Sequence, residues 1–86
     1  MTVDEILRHR LIDAVDLALG GDWKAAHLIA QDHENERLAN WIHAIVHRME
    51  GDEANAAYWY QRCGRAELQA LTTEAELKQV RAALEG

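Results

Sequence analysis

His43 and His47 stand four residues apart, a spacing that on an α-helix places both imidazoles on one face at the interval two ligands of one metal ion require. Asn40 and Glu50 flank them on that face. It points away from the arc of Leu38, Ile42, Ile45 and Met49, so apolar packing does not by itself account for the pair. His27, in a preceding helical segment, reaches the same region if the two segments stack. The set then offers three imidazole nitrogens, with Glu50 or water as the fourth ligand, to zinc or another late transition metal. A hydrolytic version needs a general base, for which Glu50 is the candidate. The His-Glu-x-x-His pattern of zinc hydrolases is absent, so no residue is assigned a catalytic role. The plainer expectation is that these are solvated or capping histidines on an acidic helix.

Tyr58-Trp59-Tyr60 is the second feature. Successive helical residues turn by about 100°, so three rings in a row cannot all enter one core. Trp59 and Tyr60 share an arc with Ala56 and Cys63 and are expected inside. Tyr58 shares a side with Asn55 and Arg62, and an aromatic with a polar tip beside an arginine has the composition of an interface anchor. Arg62 and Arg65, joined by Arg48, are candidates for a small anion site at the end of that helix, or for pairing with helix carbonyls. Cys63 is expected to be buried, despite the nearby positive charge that would favour a thiolate. Trp23 and Trp41 lie on apolar arcs and are read as core. Glu5, His9 and Asp13, also four apart, are read as a solvated acidic face and not as metal ligands.

Helices must carry these residues. The chain of 86 residues has no proline and five glycines, which argues against a many-stranded barrel or sandwich. Thr2 and Glu5 form a capping box, opening a first helix with an apolar stripe through Val3, Leu7, Leu11, Ala14 and Ala18. Ile6, Ile12, Val15 and Leu17 make that stripe too wide for a single packing partner. Gly20-Gly21 ends it, and Asp22 caps a second helix through WKAAHLIAQ. After a connection at 32–35, a third helix runs from Glu36 to Glu50. Gly51-Asp52 repeats the turn and cap, and a fourth helix runs from Glu53 to about Cys63. Thr73 and Glu76 form another capping box at the head of a last helix, about 73–85. Residues 12–31 laid on 42–61 match at Ile12/Ile42, Ala14/Ala44, Gly21/Gly51, Asp22/Asp52, Ala26/Ala56 and Gln31/Gln61, so each unit is a helical hairpin.

Nine Lys+Arg against fifteen Asp+Glu give a net charge of −6, with no basic run to neutralise phosphates, so nucleic acid is not an expected partner. No apolar run approaches the roughly 20 residues of a membrane span, and the first residues lack the apolar stretch of a signal peptide. The single cysteine excludes an intramolecular disulfide. The expected location is the cytoplasm.

Gly51-Asp52, Ala56, Tyr60 and Cys63, preceded by Ala44, resemble the tetratricopeptide repeat, with a weaker copy at Ala14, Gly21, Asp22, Ala26 and Ala30. GDWKAAHLIAQ and WIHAIVHRMEGDEANAAYWYQRCGR resemble a family of short, uncharacterised bacterial proteins. That resemblance implies a bacterial origin and a compact helical fold, and it brings no activity with it.

The expectation is therefore one all-α domain over 1–86: a first hairpin at about 3–32, a second at about 36–63 and a carboxy-terminal helix. The leading function is a non-enzymatic protein-interaction module that contacts an unidentified protein or a second copy of itself through Tyr58, Arg62 and Arg65, with no cofactor. The alternative is a metal-binding protein of zinc type, possible hydrolase chemistry included, using His27, His43, His47 and Glu50.

Overall fold

The computed structural model describes residues 4–85. Its elements in chain order are α1 (Glu5–Leu19), α2 (Trp23–Gln31), α3 (Arg37–Glu50), α4 (Glu53–Cys63), a short 3-10 segment (Ala66–Ala70) and α5 (Thr73–Glu85). There is no strand among the described residues. Helices α1 and α2 form one hairpin and α3 and α4 the other; α2 packs on α3, and α5 lies against both α1 and α3. The all-α class and the two-hairpin arrangement with a carboxy-terminal helix are as the patterning predicts.

The repeated Gly-Asp has a shared physical role. Gly21 and Gly51 have φ of 94° and 89°, in the left-handed region that favours a residue without a Cβ. That conformation lets the next amide turn back: Asp22 N donates to Leu17 O at 2.8 Å, and Asp52 N donates to His47 O at 2.8 Å. Each aspartate then caps the following helix, accepting from Ala25 N at 3.2 Å and from Asn55 N at 3.3 Å. Helix α1 is capped by Asp4, which accepts from Leu7 N at 3.0 Å. The expected cap at Thr2 and the stripe's first member, Val3, lie outside the described residues.

Helix α3 is the centre of the molecule. Each residue from Ala39 to Val46 is buried, because α2, α4, α5 and part of α1 surround it. The wide stripe of α1 is accounted for in the same way: Leu11, Ala14, Val15 and Ala18 are buried among α2, α5 and α3. Of helix α2 only Ala26 and Ala30 are fully buried, and these small side chains let its backbone approach its neighbours closely.

The carboxy-terminal helix departs from expectation at Glu76. Thr72, not Thr73, supplies the cap, its Oγ1 accepting from Ala75 N at 3.1 Å. Glu76 turns inward and is fully buried. It accepts from Trp41 Nε1 at 2.7 Å, Tyr60 Oη at 2.5 Å and Arg48 Nη1 at 2.6 Å, while Arg48 Nη2 donates to Leu71 O at 2.9 Å. A buried carboxylate is tolerable only when paired and hydrogen-bonded, and here α3 and α4 supply the three donors that anchor α5. Arg48 is thereby removed from the anion site imagined for it with Arg62 and Arg65. None of the described helices is long and apolar enough to cross a membrane.

Candidate metal centre

The junction of the two hairpins brings three histidines together. His43 and His47 project from α3 toward α2, which presents His27 to them. Ring centroids are 4.6 Å apart for His27 and His43, 5.1 Å for His27 and His47, and 4.9 Å for His43 and His47. One nitrogen from each ring lies within 4.8 Å of the other two. Zinc–nitrogen bonds of about 2.0–2.1 Å put tetrahedral ligand atoms about 3.3 Å apart, so the rings need only modest side-chain rotation to share one ion.

The expectation of solvated histidines fails for His43 and His47. His43 is 4% exposed and His47 8%, because the face opposite the apolar arc of α3 is covered by α2 and α4. His43 stacks on the Trp59 indole at 3.9 Å between centroids, with 14° between the planes. Burial pushes the His43 imidazole down to about 3, and neighbouring His27, His47 and Arg62 add to the effect. His27, half-buried, is also held below its ordinary value, first by burial and then by His47, against the opposing pull of Glu50. Both rings are therefore neutral at pH 7, with lone pairs available for coordination. His43 Nδ1 is buried with no hydrogen-bond partner among the described residues, a standing cost of roughly 1–3 kcal/mol that a bound ligand could remove.

Glu50 takes a different place from the one expected. Its Oε2 stands 2.5 Å from His47 Nδ1 and lies outside the three-histidine group. A carboxylate on Nδ1 fixes the proton there and leaves Nε2 as the ligand atom, the arrangement that commonly orients metal-bound histidines. Glu50 and Asp52 form a second group of close donors with His47, although Asp52 is committed to capping α4 through Asn55. The i,i+3 spacing of His47 and Glu50 was visible in the sequence. That Trp59 walls the cluster was not, since its arc marked it only as core.

The other candidates are scattered. Tyr58 is 52% exposed; the Arg62 guanidinium lies 5.9 Å from its ring and 4.9 Å from that of Trp59, and donates weakly to Tyr58 Oη and Glu34 O. Arg65 sits over the Trp41 ring at 4.8 Å. The two arginines are thus spread over different rings. Cys63 is buried as expected, and burial raises its thiol above the ordinary range, which disfavours the thiolate. Trp41 is buried and Trp23 half-buried against the core. On α1, His9 Nε2 meets Glu5 Oε2 at 3.2 Å on the exposed face, and Asp13 forms no close donor group with them. No protein-family model, no curated protein and no solved structure matches this chain.

Proposed function

We propose that the protein binds one late first-row divalent ion, zinc foremost, through His27, His43 and His47. The observation that carries this is the convergence of three imidazoles from two helices, two of them buried. Nitrogen-only donors select zinc, copper, nickel or cobalt over magnesium and calcium, which prefer oxygen. Coordination would join α2 of the first hairpin to α3 of the second. The interaction-module reading through Tyr58, Arg62 and Arg65 has less support, because both arginines engage ring faces of the protein itself.

The test is the thermal midpoint of tag-free, chelator-treated protein with and without zinc. A ligand that binds only the native state at a hundredfold its Kd stabilises by about 2.7 kcal/mol. In a domain of this size that corresponds to a rise of about 10–20 °C. His27→Ala is the primary control, because His27 is half-exposed and its truncation leaves the core intact; His43→Ala/His47→Ala is the second. The rise is expected to vanish in both, and a rise that either variant retains rules the triad out as the site.

Glu50 acts here as a positioning residue. Glu50→Gln keeps the side chain's size but weakens its hold on the His47 Nδ1 proton, so zinc affinity is expected to fall about 10–100-fold. Competition against a chromogenic chelator measures it. The thermal midpoint of the metal-free variant should stay near that of the parent, separating positioning from folding.

A further inference from the structure

We propose that the metal centre is open, with a fourth coordination position that the protein leaves to water or to a small exchangeable anion such as hydroxide, azide or a carboxylate. This rests on the metal-binding reading above and concerns what that ion would do. Structural zinc sites are closed by four protein ligands, whereas sites that work on exogenous ligands keep three and hold water in the fourth position. The described residues supply three. Glu50 and Asp52 approach His47 but do not join the group that contains His27 and His43. Glu50 Oε2 is already engaged by His47 Nδ1, and Asp52 is occupied by the start of α4. The one thiol, Cys63, is buried and directed at Tyr60 O at 3.5 Å.

Exposure and charge favour the same ligand class. Trp59 covers His43, and His47 is nearly buried, while His27 is half-exposed. An incoming ligand therefore reaches the ion past the α2 side. Imidazole ligands bring no charge of their own, so three of them would leave the full charge of a divalent ion uncompensated in the inner sphere. Arg62, stacked on Trp59 beside His43, adds positive charge, and Glu50, bound to His47, offsets part of it from outside. An anion completes such a site better than a neutral donor, and a water bound there loses a proton far more readily than bulk water, with a pKa near ~7 in open zinc sites.

Cobalt(II) is the probe, because its visible absorption reports both coordination number and ligand exchange. The cobalt-loaded protein is titrated with sodium azide, alongside cobalt-loaded Glu50→Gln. The expected result is a saturable spectral shift in both, with one azide per cobalt. If cobalt binds but azide shifts only the variant, Glu50 closes the site and the proposal is overturned. If cobalt binds and neither protein responds, another protein group fills the position, and the proposal is again overturned; in both cases metal binding itself stands. If cobalt does not bind and zinc leaves the thermal midpoint unchanged, the metal reading fails and the open site fails with it.

Discussion

Glu76→Ala is expected to cost about 3–5 kcal/mol, the usual loss when one partner of a buried pair is removed and the other is left uncompensated. Three donors lose their acceptor at once: Trp41 Nε1, Tyr60 Oη and the Arg48 guanidinium. Tyr60 illustrates how tightly the cluster is coupled, since burial first and the Glu76 hydrogen bond second hold its hydroxyl above the ordinary phenol range. With about 4–8 °C lost per kcal/mol in a domain of this size, the thermal midpoint should fall by tens of degrees. Glu76→Gln keeps one acceptor oxygen but turns an amide NH2 against one of the donors and leaves the Arg48 charge uncompensated, so it should also destabilise, by less than Glu76→Ala. The exposed pair of Arg81 with Asp16, at 3.0 Å, also joins α5 to the body, but exposed pairs are worth about 0–1 kcal/mol. Disrupting it with Asp16→Asn therefore serves as the control. Urea unfolding at pH 7 decides the matter, and a loss below about 1 kcal/mol in Glu76→Ala would show that α5 is held chiefly by the apolar contacts of Leu77, Val80 and Leu84 and not by the Glu76 cluster.

Acid is expected to destabilise the metal-free protein by about 2 kcal/mol between pH 6.5 and pH 4.5 through His43 alone. The folded imidazole titrates at about 3 and the unfolded one at its ordinary value of 6.5. Between those values the unfolded chain binds a proton that the native state refuses, so stability is complete above 6.5 and falls as pH drops toward 3. The slope is half of about 1.4 kcal/mol per unit at pH 6.5 and reaches nearly all of it one unit lower, which gives the figure stated over the two units. His27 is lowered in the same direction and steepens the slope. His43→Phe preserves an aromatic ring against Trp59 and removes the titration. Unfolding free energies of the two proteins in chelator at both pH values should differ in slope by about that amount. Equal slopes would show that His43 becomes protonated without cost, contrary to its burial beneath Trp59.

The elements were legible in the sequence because their signals are local. Gly21-Asp22 and Gly51-Asp52 mark turn and cap within a few residues, and the apolar spacing along α1 and α3 identifies the faces that must be covered. The i,i+4 spacing of His43 and His47 placed two rings on one helix face without any tertiary information. His27 could be joined to them only on the assumption that the hairpins stack. The same locality misled at Thr73 and Glu76, whose spacing satisfies a capping box, although the glutamate turns toward donors 16, 28 and 35 residues away.

By itself, then, the sequence determined the helices, the two Gly-Asp turns and the pairing into hairpins, since backbone hydrogen bonding, glycine conformation and apolar periodicity act over a few residues. Only the tertiary structure decided which polar side chains go inside. His43, His47 and Glu76 carry no local mark that separates them from solvated residues; each is buried because an element distant in sequence covers it. Trp59 and α2 cover the histidines, and Trp41, Tyr60 and Arg48 surround the carboxylate. In a low-dielectric interior a polar group must be matched by partners, and where those partners lie is a property of packing.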